Sequence, residues 1–298
     1  MNSPIALAQR HQADAALALC RPSVNELVLG LFADALPATE KAVWLGELIA
    51  LLAPLGVSER ALRTGVFRLV QQGALLAHRS GRRSAYSTNP ESNALLAPAP
   101  PMMRRYQPRW PGNWTLVTGW NAARTPEQSL RVRAYLLANG YQQLRSGVYG
   151  RPGGDPAAVE AALIAQGDPG ALLVCDVARL HGIGQGALRT LVRQSWELDK
   201  VAAAYERFIE QFQHVLAAMS ESRWRHEVQW AFAAHTLLLH GWRQVVCADP
   251  QLPVQLLPAD WPAERARALA NRLQHLVGPD ADTFVDTIRP RAPQALAA

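Results

Sequence analysis

Apolar residues recur at helical spacing in three short segments near the start of the chain. A spacing of three and four residues places them on one face of each predicted helix. Ser23 and Ser58 precede the first and third segments, where a serine caps the free backbone N–H groups of a helix. Gly73 closes the third segment, as glycine often does after a helix. The pattern therefore predicts helices over 23–32, 39–52 and 58–72.

Two extended segments follow these helices, over 75–78 and 84–88, with a turn at Ser80-Gly81 between them. Extended runs separated by a short glycine turn are typical of a β-hairpin. Three arginines crowd its tip, namely Arg79, Arg82 and Arg83. Three short helices followed by an arginine-tipped hairpin predict a winged helix-turn-helix.

The pattern of apolar and polar residues changes after a proline-rich stretch. Apolar, β-rich segments alternate with helical ones, and the predicted order is strand, helix, strand, helix, strand, with space for one more strand. This order suits a small α/β layer of ferredoxin-like type. The strands cover 114–118, 142–149 and 171–177, and the helices cover 127–138 and 155–166.

Beyond residue 188 the pattern is almost wholly helical, with long amphipathic segments over 198–219, 224–246 and 263–277. The predicted fold class is a multidomain α+β protein. Its parts are a loosely ordered N-terminal arm (1–22), a winged helix-turn-helix domain (23–90), a linker (91–108), a central ferredoxin-like domain suited to dimerisation (109–180), a helical C-terminal domain for an effector or dimerisation (181–280) and a tail (281–298).

Composition narrows the class of protein. Hydrophobic residues make up 49% of the 298 residues, enough for buried cores. The three cysteines form no Cys-x-x-Cys pair, which argues against a disulfide framework or a zinc finger. Met1–Pro22 lacks the uninterrupted apolar h-region of a signal peptide, and no segment reaches the length of a membrane span. We expect a soluble, cytoplasmic protein.

The positive charge is concentrated near the predicted hairpin. The net charge is +6, yet the fifty residues from Arg60 to Arg109 hold nine arginines against one acid, Glu91. Such clustering predicts a phosphate-bearing partner, and the helix-turn-helix pattern favours double-stranded DNA. The alternative is an ordinary solvated helix face. The predicted DNA-binding residues are Arg60, Arg63, Thr64, Phe67, Arg68, Arg79, Arg82 and Arg83.

A second candidate site follows the last predicted strand. The segment 181–186 is rich in glycine and precedes a helix, where backbone amides hold phosphates, although an interdomain hinge needs glycine equally. Arginine and tryptophan side chains of the last domain suit a ligand with phosphates and aromatic rings, although tryptophans more commonly pack in a core. The predicted effector-binding residues are Arg179, Gly184, Gly186, Arg189, Trp224 and Arg243.

The sequence contains no motif that indicates a catalytic function. There is no Gly-x-Ser-x-Gly, no paired carboxylates and no cysteine with a helical histidine partner. His235 and His240 are five residues apart, which is not the spacing of two ligands on one helical face. We therefore predict no catalytic residues, no metal site and no cofactor. An acyl-CoA-binding enzyme with an accessory nucleic-acid-binding domain is kept as an alternative.

Several blocks resemble one family along most of the chain. They are 48–58, Ala61–Thr64 and 79–86; then Asn113–Val117 with 146–152; then 237–243, 249–253 and 256–261. These blocks are similar to the phenylacetate-catabolism repressor family, PaaX, with its GntR-like winged helix, its Cas2-like central domain and its C-terminal signature. Ala33 and Ala263 depart from the family pattern, where glycine is expected, as does the pair Gly241-Trp242.

The resemblance implies a homodimeric repressor of an aromatic-catabolism operon. It further implies release from DNA by an aryl-CoA effector, typically phenylacetyl-CoA, and no membrane partner. A Cas2-like domain also raises the alternative of a nuclease. Metal-dependent cleavage needs an acid at the end of the first strand. The sequence there is Thr118-Gly119-Trp120-Asn121, which disfavours that alternative.

Overall fold

The computed structural model describes residues 4–35, 42–90, 110–119, 125–165, 172–181, 185–219 and 227–290. Within those ranges the chain forms ten α-helices and two antiparallel sheets, which confirms the predicted mixture of α and β structure. The predicted linker, 91–108, lies outside the described residues. The chain divides into two compact units. The first comprises Met1–Arg104, Ala204–Cys247 and Pro262–Ala298, and the second comprises Arg105–Ala203 and Ala248–Trp261.

The first unit begins with four helices and a three-stranded sheet. They are α1 (Pro4–Leu19), α2 (Val24–Gly30) with a π-helical turn at Leu31–Ala35, β1 (Val43–Trp44), α3 (Leu45–Leu52) with a 3-10 turn at Ala53–Leu55, α4 (Glu59–Gln71), β2 (Leu75–Ser80) and β3 (Arg83–Thr88). The strand order is β1-β3-β2, and both pairs are antiparallel.

The ends of these helices follow from their capping residues. The Ser23 hydroxyl accepts a hydrogen bond from the backbone N–H of Glu26, whose carboxylate accepts one from the Ser23 N–H in return. Ser58 accepts one from Ala61 N–H at the start of α4. Gly73 adopts a φ of 71° after α4, a conformation that favours glycine. The predicted caps at Ser23 and Ser58 are confirmed.

Two predictions at this end of the chain are wrong. The second helix does not include Val43 and Trp44, which pair with Tyr86 and Ala85 of β3 instead, because the Glu47 carboxylate caps the backbone N–H of Trp44 and starts α3 there. The N-terminal arm is not loosely ordered either. Described residues 4–19 form α1, which buries an apolar stripe made of Ala13, Ala16 and Leu17.

The second unit contains the four-stranded sheet. Its elements are β4 (Trp114–Gly119), α5 (Pro126–Ala138), β5 (Gln142–Arg145), β6 (Val148–Pro152), α6 (Pro156–Ala165), β7 (Leu172–Val177) and α7 (Gln185–Ser195). The strand order is β5-β6-β4-β7, with every neighbouring pair antiparallel. The predicted single strand over 142–149 is a hairpin, because Gly147 turns the chain with a φ of 73°.

The remaining helices are α8 (Leu198–Met219), which contributes to both units, α9 (Val228–Ala248) and α10 (Ala263–Ile288), with a 3-10 turn at Val254–Leu256. The predicted tail from 281 is wrong, because α10 continues to Ile288. Its residues Ala281, Phe284 and Val285 keep the spacing of a buried helix face, and they are buried.

The hydrophobic core of the first unit combines residues that are distant in sequence. Leu27, Leu62 and Leu69 from α2 and α4 lie in one buried cluster with Phe232 of α9 and Phe284 of α10. The rings of Phe232 and Phe284 are 5.0 Å apart between centroids. The compact units therefore group the chain differently from the predicted domains 23–90 and 181–280.

Across the described ranges, no single helix combines the length and the apolar character that crossing a membrane requires. One pair of helical segments, Ala8–Leu19 and Val24–Asp34, meets that test of length and composition only when taken together, and it is bent by 104°.

Candidate nucleic-acid interface

Helix α4 has one buried face and one exposed face. Leu62, Gly65, Val66 and Leu69 are buried, which leaves the opposite side open to solvent. The structure places all five predicted residues of this helix on the open side: Arg60, Arg63, Thr64, Phe67 and Arg68. Their exposure is the geometry that insertion into a DNA groove requires.

The exposed side chains of α4 form two adjacent rows. Arg60, Thr64 and Arg68 follow one another at steps of four residues, and Arg63 and Phe67 form the neighbouring row. The Phe67 side chain is 62% exposed, although a large aromatic ring is usually buried. A ring held in the open beside arginines can make apolar contact with a thymine methyl group.

The hairpin carries its arginines at its turn, where they are exposed. Arg79 pairs with Ser84 and Ser80 pairs with Arg83, so Gly81 and Arg82 form a two-residue turn. Among the described residues of this turn only Gly81 has a positive φ, of 60°, as a type II′ turn requires. The structure confirms the hairpin and places Arg79, Arg82 and Arg83 exposed at or beside its tip.

Two grooves run along α4. The first, towards the hairpin, is lined by Arg63, Arg82 and Arg83 together with Gly46 and Ser84. Arginine donors in an open groove suit phosphate oxygens.

The second groove runs along the other row, where Arg60, Thr64 and Arg68 face Ser23 and Asn25 at the start of α2. A helix with a basic groove on each side matches a helix in the DNA major groove, which is bordered by a phosphate backbone on each side.

One acidic residue in this region was missed by the sequence analysis. Arg63 donates two hydrogen bonds to Glu59, from Nε at 2.8 Å and from Nη2 at 2.6 Å. Both side chains are more than half exposed, and exposed pairs of this kind contribute at most about 1 kcal/mol. The spacing of four residues between an acid and an arginine is a sequence signal that could have identified this pair.

Thr64 is held differently from its neighbours. Its hydroxyl donates to the backbone oxygen of Arg60 at 3.0 Å, so the hydroxyl oxygen keeps its lone pairs for another donor. A base amino group is such a donor. The geometry gives Thr64 one defined orientation on the open face.

The described residues offer little for catalysis or metal binding. No group of three or more histidine, cysteine or acidic side chains in the described ranges is arranged to hold a metal ion. Burial raises the pKa of the Cys20 thiol to about 11, which keeps it protonated and unreactive.

Comparison with known proteins decides the family. Residues 23–89 match the PaaX-like protein family, and residues 196–287 match the PaaX-like protein C-terminal domain. The transcriptional repressor PaaX of Escherichia coli (strain K12) is 33% identical over 264 residues, which cover 88% of this chain and 83% of that protein. The chain belongs to the PaaX family. As a member, it is a transcription regulator rather than an enzyme.

A solved structure shares the fold of this PaaX-family chain. It is an uncharacterized protein from Mycobacterium tuberculosis, with a TM-score of 0.55 and 22% sequence identity, and the match covers 88% of this chain and 98% of the other. A likeness at this identity concerns the fold alone.

The predicted effector-binding residues are not brought together in one unit. Arg179, Gly186 and Arg189 belong to the second unit, where both arginines are exposed, and Arg243 belongs to the first. Gly184 and Trp224 lie outside the described residues. Arg243 forms an ion pair with Asp34, a partner that sequence spacing could not reveal because 209 residues separate the two.

Proposed function

We propose that this PaaX-family chain is a winged helix-turn-helix repressor of an aromatic, phenylacetate-type catabolic operon. In this proposal α4 enters the major groove of operator DNA, and the β2–β3 hairpin is the wing that contacts phosphates. An aryl-CoA, with phenylacetyl-CoA as the expected compound, releases the repressor from DNA. Membership of a family with a transcriptional repressor supports the proposal at the level of its class.

The observation that carries the proposal is the exposed face of α4 beside the arginine-tipped hairpin. Arg63 lies between them and lines the groove that Arg82 and Arg83 also line. Arginine can bond the edge of a guanine with two hydrogen bonds, which gives α4 a means of sequence recognition. Arginines in the wing add binding that does not depend on sequence.

The order of strands in the second unit supports its proposed assignment as a ferredoxin-like domain. In the order β5-β6-β4-β7, the first strand of the unit, β4, lies inside the sheet. The last strand, β7, lies beside it at one edge. This is the order of a split βαβ arrangement repeated twice. We assign dimerisation to this unit or to the C-terminal helices, because a homodimer presents two α4 helices to two half-sites.

The test is fluorescence anisotropy of a labelled duplex from upstream of the neighbouring catabolic operon. We expect binding that resists competitor DNA and is released by phenylacetyl-CoA, but not by phenylacetate or by CoA alone. Equal binding to the duplex and to random sequence would contradict the proposal, as would binding that no aryl-CoA releases.

Variants separate the two parts of the interface. Arg63→Ala should cost about 1–3 kcal/mol on operator DNA and relax preference at one base position. Arg82→Ala should weaken binding to all sequences and make the salt dependence shallower by about one unit. Arg131→Ala, on α5 and 57% exposed, is the matched control and should bind like the wild type. A change of sequence preference in Arg82→Ala would show that the wing assignment is wrong.

A further inference from the structure

A cavity of about 250 Å³ lies inside the first unit, between α2 and α9. Leu27, Leu29 and Leu31 line one side, and Leu239 and Cys247 line the other. An apolar cavity of about 150 Å³ is large enough to hold benzene. This cavity therefore has room for one aromatic ring with a short acyl extension, and it is too small for a whole coenzyme.

One polar group in the wall has no hydrogen-bond partner among the described residues. Thr236 lines the cavity and is 8% exposed, and its hydroxyl makes no hydrogen bond to any described residue. Most buried hydroxyl groups are hydrogen-bonded, since leaving one unpaired costs about 1–3 kcal/mol. An occupant with a hydrogen-bond acceptor would satisfy it.

The charges in the wall select against an anion. The wall contains the carboxylates of Glu26 and Asp34 and the single guanidinium of Arg243, which is paired with Asp34. The side-chain amide of Gln244 lies 2.9 Å from His240 Nε2. Burial lowers the pKa of His240 below its ordinary value of 6.5, so the ring is neutral at pH 7. The wall is therefore net negative.

We propose that this cavity is a binding site for the apolar acyl group of an acyl thioester, a group that carries no charge itself, and that the Thr236 hydroxyl donates to its carbonyl oxygen. A free carboxylic acid of the same shape binds more weakly at neutral pH, because its carboxylate would face the carboxylates of Glu26 and Asp34. The inference rests on the proposed function, for which it supplies the effector site within the unit that contains α4.

The cavity is connected to α4, the proposed DNA-binding helix, through α2. One wall of the cavity is formed by α2. This helix packs directly on α4 at Gly65, where an added Cβ would lie 2.9 Å from Val24 Cγ1. Leu27 of α2 shares a buried cluster with Leu62 of α4. A ligand between α2 and α9 therefore contacts a helix whose displacement would disturb its packing against α4. Release follows if the ligand binds the displaced arrangement more tightly.

The test fills the cavity without a clash. Gly30 lines it, and a Cβ added there has no heavy atom within 4 Å, so Gly30→Leu places a side chain in open space. Binding of phenylacetyl-CoA, phenylacetate and CoA is measured by calorimetry in the absence of DNA. We expect Gly30→Leu to weaken phenylacetyl-CoA binding at least about tenfold, and phenylacetate to bind at least about tenfold more weakly than the thioester in the wild type.

A second variant removes only the hydroxyl. Thr236→Val keeps the shape of the side chain, and we expect it to weaken thioester binding about threefold to tenfold without loss of thermal stability. Ala203→Leu, which adds the same side chain as Gly30→Leu at an exposed position on α8, is the control and should bind like the wild type.

Three results would overturn the site: wild-type affinity in both Gly30→Leu and Thr236→Val, equal affinity for acid and thioester, or no thioester binding by the wild type. The proposed function has a separate criterion, which is preference for the operator duplex in the absence of ligand. A chain that binds the thioester in this cavity but does not prefer that duplex would contradict the repressor alone.

Discussion

The two compact units complete their hydrophobic cores from different parts of the chain. In the second unit, Val117 of β4 is buried with Leu136 of α5 and Leu163 of α6, helices that connect the strands of the same sheet. A second cluster on this sheet joins Trp114 of β4 to the later, short segment that contains Leu252. In the first unit, α2, α3 and α4 share their core with Phe232 and Phe284, which come from helices much later in the sequence.

The difference shows how far a DNA-binding element can depend on the helices that follow it. An isolated segment 23–89 would expose the apolar side chains that Phe232, Phe284 and Val285 cover. Arg289 adds a polar contact of the same kind, since its Nε lies 3.2 Å from the Glu47 carboxylate, which also caps α3. The C-terminal helices therefore complete the hydrophobic core on which α4 lies.

The largest expected effect is that of Phe284→Ala. Removing this buried ring should lower the free energy of unfolding by about 3–5 kcal/mol and weaken DNA binding. Hydrogen exchange should increase in peptides from α4. Leu136→Ala is the control from the second unit and should leave exchange in α4 unchanged. Unchanged α4 exchange in Phe284→Ala would contradict the shared core.

Two glycines with close neighbours, one in each unit, test the comparison between the units at the level of single contacts. A Cβ at Gly65 would meet Val24 at 2.9 Å, and one at Gly150 in β6 would meet Leu144 at 2.5 Å. Each change to alanine should cost about 1–3 kcal/mol, measured by urea unfolding. Only Gly65→Ala should also lower operator affinity, because it separates α2 from α4. A similar loss in Gly150→Ala would show that affinity follows stability in general.

Acid should affect the first unit more than the second. Burial lowers the pKa of His235 below its ordinary value of 6.5, against the opposing effects of the Gln274 hydrogen bond and of Asp282 and Asp34. Below pH 6.5 the unfolded chain binds this proton and the folded chain does not, so the free energy of unfolding falls as pH falls.

The slope is at most about 1.4 kcal/mol per pH unit for this group. His235→Gln should flatten the dependence of urea unfolding on pH between 6.5 and 5. In the second unit the described histidine, His181, is exposed. Exchange that rises first in that unit on acidification would contradict the expectation.

The smallest expected effect concerns the exposed Glu59–Arg63 pair. Glu59→Gln should release Arg63 for DNA and strengthen binding by less than about 1 kcal/mol, with a steeper salt dependence in the anisotropy titration. Glu127→Gln breaks the corresponding pair with Arg131 on α5, where the atoms are 3.9 Å apart, and should leave DNA binding unchanged. Weaker DNA binding in Glu59→Gln would show that the pair orients Arg63 for its contact.

Local signals predicted the local structure well. Ser23, Ser58 and Gly73 act within a few residues of themselves, and the helix ends they predict are present. The outward face of α4 was equally predictable, because helical periodicity fixes which side chains oppose Leu62 and Leu69. The DNA-binding role of those side chains stays a prediction.

Non-local contacts account for what the sequence could not supply. The predicted helix over 263–277 ends too early, because Phe284 and Val285 of α10 gain burial in one cluster with α2, α3 and α4. The sequence analysis predicted Arg243 as an effector-binding residue. Its ion pair with Asp34 is visible only in the folded chain. The cavity beside Thr236 arises from two helices that no local pattern relates.

The position of Phe284 in the sequence also bears on how the protein is made. Ribosomes synthesise a chain from its N-terminus, and domains generally fold as units during synthesis. Here α4 and the hairpin are synthesised well before residues 281–288, which complete their core. A nascent chain that has emerged only as far as α9 therefore carries the whole basic surface on an unfinished scaffold. The core beneath α4 is thus complete only after α10 has been synthesised.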